Sequence, residues 1–68
     1  MTTLVINGST RTVEATTLAE LARELELPSR GVAIARNEEI APRSTWDAVA
    51  LRDGDRIELV TAVQGGAS

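Results

Sequence analysis

The sequence predicts an α+β domain with one helix laid across a mixed β-sheet, on three observations. Short β-branched runs are separated by Asn, Gly and Asp, the residues that make turns. A single stretch carries apolar residues at helical spacing. The longest apolar strand-like run comes last, which suits the centre of a sheet. With 68 residues the chain has room for one domain. A domain of this size buries only about 60% of the surface its unfolded chain exposes, so its core is near the lower limit for independent folding.

In chain order, Thr3-Leu4-Val5-Ile6 reads as a first strand, and Asn7-Gly8-Ser9 as a tight turn. Asn and Gly tolerate the positive φ angles that a two-residue hairpin demands. Thr10 to Glu14 is the return strand, with Val13 on the inner face beside Leu4 and Ile6. Thr17 and Glu20 have capping-box spacing at a helix start. Leu18, Leu21, Ala22 and Leu25 then form one apolar stripe, and Pro28 is expected to end the helix by Leu27. Val32 to Arg36 is a third strand opened by Gly31, Asn37-Glu38-Glu39 a turn, and Ile40 a short edge strand. Ser44 and Asp47 have capping-box spacing for one helical turn, which places Trp46 over the open end of the core. Asp53-Gly54-Asp55 is a β-turn before the last strand, which starts at Arg56; it lacks the spacing and distal Glu of a calcium loop. That strand is expected to pair with the first, with Ile57 and Leu59 facing the helix and Glu58, Val60 and Ala62 facing out.

Composition excludes most chemistry. The chain has no cysteine and no histidine, so it lacks a thiolate nucleophile, the usual general base and the commonest metal ligands. All seven basic residues are arginine, which stays protonated and is a poor nucleophile. Glu38 and Glu39 are adjacent and point apart in a strand, so they make no catalytic carboxylate pair. No catalytic residue and no metal site is expected. A net charge of -3 and a single aromatic residue argue against nucleic acid as a partner. No run approaches a membrane span and no signal peptide opens the chain, so a cytoplasmic protein is expected.

What remains is the tail. A strand-like run, Leu59 to Val63, leads through Gln64 directly into Gly65-Gly66, with only Ala67-Ser68 behind. A bare, side-chain-free end suggests a segment that a partner handles, although a frayed terminus looks the same.

Four segments taken together resemble the sulfur carrier proteins of thiamine biosynthesis, the ThiS family. They are Arg36-Asn37-Glu38-Glu39-Ile40, Pro42-Arg43-Ser44-Thr45-Trp46, Asp53-Gly54-Asp55 and Val63-Gln64-Gly65-Gly66. The likeness runs from Leu4 to Gly66 and implies the β-grasp fold of ubiquitin. Residues 1–64 would then be the β-grasp domain and 65–68 a flexible Gly-Gly tail with an Ala-Ser extension. By resemblance, Gly66 would be adenylated and carry the thiocarboxylate, and Val63, Gln64 and Gly65 would be recognised as the tail. The implied partners are an ubiquitin-activating-type adenylating enzyme, thiazole synthase, and a cysteine desulfurase or other persulfide donor. The chain itself would be no enzyme and would bind no cofactor, the ATP being used by its activating partner. Val5, Ala33, Ala35, Val60 and Ala62 would make an outward apolar patch suited to docking.

Ala67-Ser68 depart from the pattern, because only a free carboxylate on Gly66 can be adenylated. They are either a cloning remnant or part of a precursor that a protease trims. Two other readings stay open. One is a carrier of the same fold serving molybdopterin, cysteine or a secondary metabolite. The other is a TGS-like binding module, for which a terminal Gly-Gly has no use.

Overall fold

The computed structural model describes residues 1–28 and 30–61. Strands β1 (Thr2–Ile6) and β2 (Ser9–Val13) form a hairpin, helix α1 (Leu18–Glu24) follows, and β3 (Val32–Arg36) and β4 (Glu39–Ala41) form a second hairpin. A 3₁₀ turn (Arg43–Ala48) then leads to β5 (Arg56–Thr61). The sheet order is β2-β1-β5-β3-β4, with β1 and β5 parallel and the other pairs antiparallel. The last strand therefore sits at the centre beside the first, as expected of a β-grasp domain.

The core lies between the sheet and α1. Leu4, Val13, Leu18, Leu21, Ile34 and Ile57 are almost fully buried, and Leu59 packs against them. Each such side chain contributes about 2 kcal/mol on leaving water. The exposed Arg56–Glu38 ion pair, at 3.0 Å, contributes well under about 1 kcal/mol by comparison. Trp46 closes the open end of the core as expected. It is buried, donates its Nε1–H to the Ala41 carbonyl at 2.8 Å, and carries the Arg43 guanidinium over its ring.

Both hairpin turns hold two residues at positive φ, Asn7-Gly8 and Asn37-Glu38, as two-residue turns require. Two local expectations are corrected, and one is met for a different reason. Helix α1 ends at Glu24, within the expected limit of Leu27, but through a turn of its own rather than at Pro28. Glu26 takes a φ of 58° and donates to the Arg23 carbonyl, and Leu27 donates to the Ala22 carbonyl. This Schellman turn brings Leu27 back onto the core. At the helix start, Thr17 Oγ1 accepts from the Glu20 amide, but the Glu20 carboxylate reaches past the cap to the Thr16 amide and hydroxyl. The Thr16 amide, foremost, holds that carboxyl below its ordinary value. The capping box expected from Ser44 and Asp47 does not form. The 3₁₀ turn is capped two residues earlier, at Pro42, with the Thr45 amide and hydroxyl both donating to the Pro42 carbonyl.

Asp55, expected only as a turn residue, is buried at the head of β5. Its Oδ2 accepts from the Arg52 amide at 2.9 Å and from Arg36 Nε at 3.0 Å, and its Oδ1 from Asn37 Nδ2 at 3.1 Å. Burial works against its charge, but the Arg52 amide, Arg36 and Asn37 together outweigh burial and hold the carboxyl below its ordinary 3.8. A carboxyl lowered in the folded state adds stability above its unfolded pKa and loses it as pH falls through the folded value. Asp55→Asn is expected to cost about 2 kcal/mol at neutral pH. It is also expected to flatten the acid side of the stability curve below about pH 4, read by urea melts across pH. A variant whose acid limb matches the parent's would show that Asp55 does not carry the dependence.

Candidate functional site

The tail grows from the central strand, so the site is built on what holds β5. At its head, the turn Arg52–Asp55 closes with the Asp55 amide donating to the Arg52 carbonyl, and Gly54 has a φ of 89°. The same turn docks on β1: Gly54 donates to the Thr3 carbonyl, and the Thr3 amide donates to Asp53 Oδ1 at 2.9 Å. Val5 then donates to the Asp55 carbonyl and Asn7 to the Ile57 carbonyl, which is the parallel β1–β5 contact.

Both turn asparagines have a second task that the sequence reading missed. Asn37 Oδ1 accepts from the Arg56 amide at 2.9 Å, while the Asn37 amide donates to the Arg56 carbonyl at 2.8 Å. Asn7 Oδ1 accepts from the Leu59 amide at 2.9 Å, and its Nδ2 donates to the Leu59 carbonyl at 3.4 Å. Each side-chain amide stands in for a peptide group of a neighbouring strand. The local signal, Asn at the first position of a hairpin turn, is fully explained by backbone conformation, so nothing in it announces the longer reach.

The outward sheet face can be read from the register. Ala35 pairs with Glu58 and with Ile40, and Ala33 pairs with Val60. Ala33, Ala35 and Val60 therefore gather on one side, joined by Ile40, which the sequence reading left out of the patch. Val60 and Ile40 are 61% and 69% exposed, so this is real apolar surface facing solvent. Val5 is on the same face but pairs with Arg56, across β5 from Ala33 and Ala35. Arg56 and Glu58 stand between Val5 and Val60, roughly 13 Å apart along the strand direction. The patch is a compact cluster around Glu58 with Val5 set apart. Ala62, Val63, Gln64, Gly65 and Gly66, and with them the domain boundary expected after residue 64, lie outside the described residues.

On the other side of the sheet, a groove of about 360 Å³ runs between α1 and the 3₁₀ turn, lined by Ala19, Ala22 and Trp46 and by Arg23 and Arg43. Among the described residues no group of His, Cys, Asp and Glu is placed to hold a metal, and no helix is long and apolar enough to cross a membrane.

Comparison with known proteins identifies the fold and the tail together. The model of the ThiS family matches residues 4–66. A sulfur carrier protein ThiS from Thermus thermophilus is 39% identical over 61 residues, covering 90% of this chain and 95% of that protein. A thiazole synthase from Paramagnetospirillum magneticum is 47% identical over 64 residues, covering 93% of this chain; the chain spans about a fifth of that protein's length. Among solved structures, the crystal structure of a thiamine biosynthesis protein (ThiS) from Geobacter metallireducens superposes with a TM-score of 0.79 at 28% identity, covering 90% of this chain and 94% of that one. With a five-stranded mixed sheet and one α-helix among the described residues, and a match that spans both glycines, the chain belongs to the ThiS family of sulfur carrier proteins in thiamine biosynthesis.

Proposed function

We propose that the chain carries sulfur as a thiocarboxylate on Gly66 and delivers it for thiazole formation. The observation that carries the reading is that the family match spans residues 4–66 and so takes in the tail along with the domain. Members of the family are carriers rather than catalysts and bind no cofactor, which agrees with a composition lacking Cys and His.

The chemistry follows from the electrophile. A carboxylate is unreactive because its leaving group would be oxide. Attack of the Gly66 carboxylate on the α-phosphorus of ATP expels pyrophosphate and gives an acyl adenylate, from which AMP leaves readily. The outer sulfur of a donor persulfide then displaces AMP and forms an acyl disulfide. A thiol attacks the donor-side sulfur, releasing the thiocarboxylate and leaving a disulfide on the donor. An ubiquitin-activating-type enzyme supplies the ATP site, a desulfurase or other persulfide donor supplies the sulfur, and thiazole synthase receives it. The thiazole synthase of Paramagnetospirillum magneticum, which contains a segment similar to this chain, supports that last pairing. Gly65 and Gly66 lack Cβ atoms, which suits an extended tail threading a narrow channel, with Val63 and Gln64 read before them. Activation needs Gly66 to end the chain: where Ala67-Ser68 are native, a trimming protease must remove them, and where they are a cloning remnant the natural protein lacks them.

The cluster of Ala33, Ala35 and Val60 is proposed as the docking surface, with Ile40 extending it and Val5 set apart on the same face; Ala62, expected to join it, lies outside the described residues. Its apolar side chains surround a charged residue, a composition suited to a transient partner rather than a permanent one.

Two outcomes test this reading. The chain ending at Gly66 should support ATP–pyrophosphate exchange by the adenylating enzyme, whereas chains that retain Ala67-Ser68 or stop after Val63 should not. Equal exchange with the chain stopped after Val63 would sink the carrier reading and favour a binding module. Separately, Val60→Glu should leave the fold intact, because the side chain is exposed, yet weaken binding to that enzyme about tenfold. An unchanged Kd would remove the cluster from the interface.

A further inference from the structure

Strand β5 has to present a reactive tail, yet its two sides are held differently. On the β3 side its pairing runs through to Thr61, which is opposite Val32. On the β1 side the strand register ends at Ile6 opposite Ile57, because Asn7 turns away at a φ of 48°. The Asn7 amide nitrogen makes the last backbone bond there, to the Ile57 carbonyl at 2.9 Å. Beyond it, the Leu59 N–H and C=O point to a side where β1 no longer runs. The Asn7 carboxamide takes both.

Asn37 offers an internal comparison. It too is the first residue of a two-residue turn, has a φ of 52°, and accepts from a β5 amide at 2.9 Å. Its bond is at Arg56, the head of the strand, while that of Asn7 is at Leu59, the end nearest the tail.

We infer that Asn7 is a positioning residue for sulfur loading: its side-chain amide fixes the exit of β5 so that the tail enters the adenylating enzyme's channel in one direction. The inference rests on the carrier reading given above. Its energetic logic is a competent fraction. When the Leu59 bonds are lost, the strand end samples several directions, and the apparent affinity falls in proportion to the fraction that is still aligned. Once bound, the tail is held by the enzyme, so turnover is unaffected. Loss of Asn7 therefore raises KM and leaves kcat alone.

The test compares Asn7→Gly with Asn37→Gly, for stability in the full chain and for exchange in the chain ending at Gly66. Glycine keeps the positive φ without strain, so each variant removes the carboxamide alone. Both should lose stability. In ATP–pyrophosphate exchange with the adenylating enzyme, Asn7→Gly should raise KM about five- to tenfold with kcat within about twofold, whereas Asn37→Gly should match the parent. Asn7→Asp keeps the acceptor for the Leu59 amide and should fall between. In the unmodified chain, the Leu59 amide should exchange with solvent more slowly than that of Thr61. Equal KM values for the two glycine variants, or a Leu59 amide that exchanges as fast as Thr61, would overturn the positioning role while leaving the carrier reading standing. A parent chain ending at Gly66 that supports no exchange would overturn both.

Discussion

The buried carboxylate of Asp55 ties together parts of the chain that are far apart in sequence. Its side chain gathers the Arg52 amide, the Arg36 guanidinium and the Asn37 carboxamide, while its own carbonyl accepts from Val5 of β1. The turn before β5, the end of β3, the β3–β4 hairpin and the first strand therefore meet at one residue. A buried carboxylate without donors would cost several kcal/mol or take up a proton. The charge is tolerated because three donors converge on it, and the same donors set the register of β5. The start of the strand depends on that residue, and its far end is held separately by Asn7.

From there the strand is threaded between two neighbours of unequal length. Strand β3 accompanies it to Thr61, and β1 falls short and is extended by one side chain, Asn7. Such an arrangement suits a protein that is handled rather than one that reacts. A carrier needs a rigid body, a surface for partners and an end that other enzymes work on. The rigid body comes from a core of aliphatic side chains closed by Trp46, and the surface we propose for partners is the cluster around Glu58 on the opposite face of the sheet. Nothing in such a body requires a nucleophile or a titrating base of its own.

Most of the fold was legible in the sequence. Period-two and helical spacing each depend on neighbours a few residues away, and the stripe from Leu18 to Leu25 and the alternation around Ile57 are local patterns of that kind. The central place of β5 could be read from its apolar length. What was not legible is chemistry between distant segments. Asp55 is accounted for locally as a turn residue, and nothing nearby points to Arg36 or Asn37, 19 and 18 residues away. The helix stops within the expected limit, but its stop signal was not legible for a related reason: Glu26 occupies a left-handed position usually given to glycine, so the signal was sought at Pro28. The make-up of the outward apolar cluster was half legible. Alternation gave the correct face, but only the register separates Val5 from Val60 and brings in Ile40.

The central claim concerns one bond at one atom, the carbon–sulfur bond at the carboxyl of Gly66. It is tested most directly by the intact mass of the protein purified without a tag from its native cells. The account predicts a species ending at Gly66, with a fraction heavier by the replacement of one oxygen by sulfur. A chain that always retains Ala67-Ser68, even when thiamine is withheld, would have no carboxylate to activate and would contradict it.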